Sequence, residues 1–173
     1  IDGLFVQTDV ARRKQVEHAV AAALSEYGAL DILVNNAWGG GAIGRVENKT
    51  DDQLAHGFAV GYYGPFWAMR AALPSMKERG WGRVINMCSL NGVNAHMGSL
   101  EYNAAKEALR ALTRTAAREW APTGVTVNAI CPAAKSQAFL RAMADYPGME
   151  ALADAANPMG RMGDPYDDIA PVA

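Results

Sequence analysis

The sequence predicts an α/β domain built on a parallel sheet, and three observations carry this. Segments of strand and helix pattern alternate from one end of the chain to the other. The candidate strands at 31–34, 83–87 and 125–130 are short and largely apolar, as strands buried in a parallel sheet are. Polar residues able to do chemistry stand directly after them, at the strand ends where such sheets bind their ligands.

Taken in order, residues 4–7 are a strand candidate. Thr8 and Asp9 offer capping oxygens to a helix over 10–27, where Val16, Val20 and Leu24 recur at helical spacing and Gly28 is the stop. The run DILV at 31–34 is the next strand, and a glycine-rich, flexible loop follows to Lys49. Thr50 with Gln53 has the pattern of a capping box and opens a long helix from 51 to about 79, in which Pro65 predicts a kink. RVINM at 83–87 is a strand, 88–101 a polar loop, 102–120 an Ala-rich helix and VTVNAI at 125–130 a further strand. The stretch 133–165 is looser, with short helices expected around Phe139 and Ala151.

At 173 residues, half of them hydrophobic, the chain is long enough to bury one good core and reads as a single domain. No apolar stretch approaches the ~20 residues of a membrane helix, and the start lacks a signal-peptide layout. Eighteen acidic against 16 basic side chains, a net charge of −2, give no electrostatic case for a nucleic-acid partner. Two cysteines, Cys88 and Cys131, make neither a disulfide framework nor a metal site; both are expected as small buried residues of a cytoplasmic protein that holds no metal. The chain starts at Ile1 and ends on an apolar run, so it is expected to be part of something longer.

Gly39, Gly41 and Gly44 satisfy G-x-G-x-x-G after a strand, but no helix opens at the last glycine to face a phosphate, so the phosphate-cradle reading is set aside. Tyr102 and Lys106, four apart on a helix, can meet on one face. A phenol ordinarily ionises near pH 10 and is a poor acid/base at neutral pH, while a neighbouring ammonium favours the phenolate. That spacing alone is common by chance. Ser89 sharpens it, because it follows RVINM and its loop leads into the Tyr102 helix, while Asn35 and Asn36 end the neighbouring strand at the same edge. A Ser donor, a Tyr acid/base and a Lys beside it suit proton transfer to a carbonyl oxygen. A serine hydrolase is disfavoured, since the chain has no G-x-S-x-G elbow and His96 has no evident carboxylate to orient it.

The ordered set DILVNNA at 31–37, GRVINMCS at 82–89, YNAAK at 102–106 and VNAICP at 127–132, with thirteen residues from Ser89 to Tyr102, resembles the short-chain dehydrogenase/reductase family over 4–172. The resemblance implies a Rossmann-like, doubly wound parallel sheet in three α/β/α layers, here truncated at both ends, and a single partial domain over 1–173. It implies oxidoreduction of an alcohol/carbonyl pair with NAD or NADP. Tyr102 is then the general acid/base, Lys106 favours its phenolate and holds the nicotinamide ribose, and Ser89 bonds the substrate oxygen. Asp9 and Val10 match the positions beside the adenine, Asn35, Ala37 and Trp38 the turn under the cofactor, and Pro132 and Ala133 the segment beside the nicotinamide. Leu90, Asn91 and His96 are substrate-side candidates, 133–165 falls where the family has its substrate lid, and the long helices suggest a homo-oligomer acting on a small molecule.

The sequence also departs from that family. Trp38 stands where a glycine is usual, Gly61 where an asparagine is usual, Ala133 follows Pro132 in place of glycine, and Gln137, with Ser136 before it, takes a usual threonine position. The family's phosphate-binding glycine loop and its closing strand have no counterpart in 1–173. The alternative reading is a non-catalytic relative that keeps the fold for a regulatory or assembly role.

Overall fold

The computed structural model describes residues 2–39, 41–144 and 148–173. The chain forms two compact units, one ending at Ile130 and the other spanning Cys131–Ala173.

In the first unit, helix α1 (Arg13–Tyr27) starts three residues later than the pattern predicts. The Asp9 carboxylate accepts from the N–H of Ala11 (3.0 Å) and from Arg12 Nε (3.1 Å), a local turn that keeps the backbone out of the helix until Arg12. Gly28, at φ 74°, ends the helix with its N–H on Leu24 O, as expected. Residues 4–7 do not form a strand. No ladder partner for them exists among the described residues, and Phe5 is left 89% exposed.

The capping box is present in both directions, Gln53 N–H to Thr50 Oγ1 at 3.2 Å and Thr50 N–H to Gln53 Oε1 at 3.1 Å. It opens α2 (Asp51–Phe58), which runs through a π-helical turn (Ala59–Tyr63) into α3 (Gly64–Glu78). The kink expected at Pro65 takes this form. Proline has no N–H for the carbonyl four residues back, and the preceding turn widens so that Gly64 N–H bonds Ala59 O, five back.

Strands β1 (Ile32–Asn35), β2 (Gly82–Met87) and β3 (Val125–Ile130) pair in that order, all parallel. Helices α1, α3 and α5 (Leu100–Trp120) pack on the face carrying the register partners Leu33, Val84 and Val127, where Val16, Val20, Met69, Met76 and Ala116 close the core. Side chains of a strand alternate between faces, so Ile32 and Val34 point away from these helices and stay 53% and 47% exposed. The expectation that DILV is buried throughout is corrected accordingly. Cys88 is buried as expected and Cys131 only partly. The segment 88–101, read as loop, contains the single-turn helix α4 (Leu90–Val93), because the Ser89 hydroxyl caps it by accepting from Asn91 N–H at 3.1 Å.

The second unit contains α6 (Gln137–Met143) and α7 (Met149–Ala156), at the two places expected. Ser136 caps α6 through Phe139 N–H, and Lys135 reaches Glu150 (2.7 Å) and Asp154 (2.9 Å). Arg161 grips both oxygens of Asp168 (2.6 and 3.0 Å), and Asp164 N–H adds a third bond. These contacts hold the Asp168 carboxyl down at about 2. A carboxyl lowered by folding adds stability above its unfolded value and loses it as pH falls through the folded one. A carboxyl-carbon NMR titration is therefore expected to find Asp168 still ionised at pH 3, with Arg161→Gln returning it to the ordinary aspartate range.

Among the described residues no helix is long and apolar enough to cross a membrane, and no cluster of His, Cys, Asp and Glu is arranged to hold a metal ion.

Candidate active site

Parallel pairing sets the ends of β1 and β2 side by side, with Asn35 opposite Asn86. A relay of side chains, half-buried at Asn35 and buried beyond it, then ties this edge to α5. Asn35 Nδ2 donates to Asn86 Oδ1 (2.8 Å), Asn86 Nδ2 to Thr113 Oγ1 (2.9 Å), and Thr113 Oγ1 to Leu109 O (2.7 Å). The face of α5 directed at the strand ends is thereby fixed.

Lys106 comes from that face. Its side chain is buried, and Nζ donates to Met87 O, the last carbonyl of β2, at 2.6 Å. Lys106 Nζ lies 5.7 Å from the centroid of the Tyr102 ring, the i, i+4 meeting that the spacing predicts. Two residues beyond Met87 stands Ser89, buried, whose oxygen accepts from Asn91 N–H and leaves the hydroxyl hydrogen to be given elsewhere. The Trp38 ring meets Tyr102 edge-on (centroids 4.7 Å apart, 79° between planes), and Lys106 Nζ lies 5.6 Å from its centroid.

Other sequence candidates are placed as follows. Val10, Asn35 and Ala37 line one cleft of about 110 Å³ together with Asn36, Val60 and Pro65. Asp9 lies next to it in sequence, its carboxylate engaged by its own turn. Leu90 is exposed at the start of α4 and Asn91 is spent through its N–H on Ser89. His96 is tied to the approach of α5, with Nδ1 3.2 Å from Ser99 Oγ and its carbonyl accepting from Asn103 Nδ2 at 2.8 Å. Pro132 and Ala133 open the second unit, where Ala133 O accepts from Gly163 N–H.

The loop after Trp38 is fastened, contrary to the expectation of flexibility. Gly39 O lies 3.2 Å from His56 Nε2, and Gly44 N–H donates to Gly98 O at 3.0 Å. Ala42 is held at both ends of its peptide groups, its N–H on Glu101 Oε1 (2.9 Å) and its carbonyl on Lys49 Nζ. Lys49 and Glu101 form an ion pair of 2.7 Å with side chains only 2% and 1% exposed. Burial opposes the Glu101 charge, yet Lys49 and the N–H groups of Glu101 and Ala42 outweigh it and hold the carboxyl below the ordinary glutamate value. The G-x-G-x-x-G run thus serves a loop pinned by side chains; α2 begins only after Thr50.

The family model described as short chain dehydrogenase matches residues 2–145. The chain belongs to that family. It is 36% identical over 158 residues to the 12alpha-hydroxysteroid dehydrogenase of a Clostridium species, covering 91% of this chain and 61% of that enzyme. Its fold superposes on a gluconate 5-dehydrogenase of Burkholderia cenocepacia, solved with NADP and tartrate, at a TM-score of 0.82 and 31% identity, over 90% of this chain and 61% of that one. An NAD+-bound xylitol dehydrogenase gives 0.80 at 28%, over 91% and 66%. The Rossmann-like α/β fold follows from these likenesses. The chain spans about three fifths of the hydroxysteroid dehydrogenase's length.

The residues that sequence reasoning missed in this member of the family are Lys49, Glu101 and Thr113. A signal for Glu101 existed: it lies four residues before Ala105 and eight before Leu109, on the buried stripe of α5. A carboxylate in line with an apolar stripe needs a buried partner.

Proposed function

We propose that the gene product carrying this chain interconverts an alcohol and a ketone or aldehyde with NAD or NADP, Tyr102 exchanging the proton at the substrate oxygen. The observation that carries this reading is the Lys106 ammonium, buried beside the Tyr102 ring and anchored on the last carbonyl of β2, two residues before Ser89. An ammonium fixed there faces the negative charge that develops on the phenol oxygen as the proton is exchanged. The Ser89 hydroxyl, with its lone pair engaged by Asn91 N–H, donates to the same oxygen and stabilises the charge that develops on it.

The residues present fit a dinucleotide along one wall. Val10, Asn35 and Ala37 share a cleft at the end of β1. Asp9 and Lys106 of the same unit complete the set that would hold it there, while Trp38 packs on Tyr102 and Lys106; Pro132 and Ala133, which the resemblance sets beside the nicotinamide, belong to the second unit. When bound, the nicotinamide supplies or accepts the hydride. Residues 133–165, of which 145–147 lie outside the described residues, are proposed as the substrate lid from the resemblance. The same reading makes the protein a cytoplasmic homo-oligomer acting on a small molecule, with neither nucleic acid nor membrane as partner; the near-neutral charge supports the exclusion of nucleic acid.

The test is an absorbance assay of NAD(P)H formation or loss with a panel of secondary alcohols and ketones. Turnover with some alcohol/ketone pair is expected, and Ser89→Ala should lower kcat about 10²-fold, as loss of one oxyanion donor does. Absence of turnover across the panel with both cofactors would sink the reading.

A further inference from the structure

Trp38 and Gly61 are separate in sequence but form one device in space. Gly61 lies in the π-helical turn, where a Cβ would stand 2.8 Å from Trp38 Cζ3 and 2.9 Å from Ala105 Cβ. No side chain fits at position 61 while the Trp38 ring is in place. On its other side the ring passes Gly41, where a Cβ would lie 3.5 Å from Trp38 Cζ2. The indole is therefore let in by Gly61, Gly41 being close enough only for ordinary contact, and on α5 it meets Tyr102 and Lys106, at i and i+4.

Each contact acts on a different member of the pair. Tyr102 has its ring orientation set by the edge-on packing at 4.7 Å, a preferred geometry for aromatic pairs. Lys106 carries its ammonium within 6 Å of the indole centroid, where the ring face attracts it. Met87 O holds the same ammonium from the strand end. We propose that Trp38 is the positioning residue of the Tyr102–Lys106 pair, admitted by the missing side chain of Gly61, and that it acts on these two residues and not on the cofactor. The proposal rests on the reading of Tyr102 as the acid/base.

The test compares Trp38→Phe, Trp38→Leu and Gly61→Ala in the gene product that carries this chain. Leu removes the aromatic face, Phe keeps it, and Ala at 61 displaces the ring without altering it. Trp38→Leu and Gly61→Ala are expected to lower kcat about tenfold with KM for cofactor and substrate within about twofold, a loss confined to the chemical step. Trp38→Phe should restore kcat to within about threefold. Independently of activity, the Tyr102 ring-proton resonances should shift in the Leu variant, which removes the neighbouring ring, and stay close to the parent's in the Phe variant.

Parent-like kcat in Trp38→Leu overturns the proposal. So does a raised cofactor KM at unchanged kcat, which would assign the ring to the cofactor. If the parent itself shows no turnover, the oxidoreductase reading fails instead, and the Tyr102 ring resonances decide the role of Trp38 alone.

Discussion

Tyr102→Phe is expected to lower kcat on the order of 10³-fold, the scale of a lost general acid/base, while NAD(P)H binding stays within about twofold of the parent. The geometry makes this a clean substitution. The Tyr102 ring is packed edge-on against Trp38 and lies beside the Lys106 ammonium, and a phenyl ring keeps both contacts. Only the hydroxyl is lost, so stability and the placement of Lys106 on Met87 O should be those of the parent. Steady-state rates with a fluorescence titration of NAD(P)H separate the two effects. A Phe variant that turns over like the parent rules out Tyr102 as the acid/base. A parent that binds cofactor but turns over no alcohol or ketone would favour the alternative of a fold kept for another role.

Most of this site could be read from the chain because its parts are local. Ser89 follows a strand, Tyr102 and Lys106 share one helix turn, and Thr50 with Gln53 closes a box within four residues. Each depends on spacing that a sequence displays. The parallel sheet was legible for the same reason, through strand-sized apolar runs between helical ones. What escaped depends on contacts between distant segments. The seat of Trp38 needs Gly61 to converge with Tyr102 and Lys106, and the fastening of the glycine-rich loop needs Lys49 to meet Glu101. Residues 4–7 failed as a strand because apolar pattern reports a tendency, whereas a strand requires a partner's N–H and C=O groups. The exposed Ile32 and Val34 have a similar cause: a run of four apolar residues cannot say how many faces of its sheet are covered.

Glu101→Ala is expected to destabilise the protein by about 3–5 kcal/mol, the cost of breaking a buried ion pair from one side. The Lys49 side chain is 2% exposed, so removing the carboxylate strands an ammonium away from water. Ala42 loses the acceptor of its N–H in the same step, and the loop behind Trp38 loses its tie to the first turn of α5. Lys49→Ala should cost a similar amount, since it strands the carboxylate. Replacing both, as in Lys49→Met with Glu101→Leu, should recover most of the loss, because paired apolar groups of similar volume carry no desolvation penalty. The pH dependence has a definite sign. Folding holds the Glu101 carboxyl below its ordinary value of 4.5, so its contribution is present above that pH and fades as the pH falls below it. The double variant should accordingly lose less stability than the parent on acidification from pH 5 to pH 3. Urea unfolding of the four proteins across that range measures both effects. A Glu101→Ala midpoint equal to the parent's would show that the pair neither pins the loop nor stabilises the edge of the sheet at which Tyr102 stands.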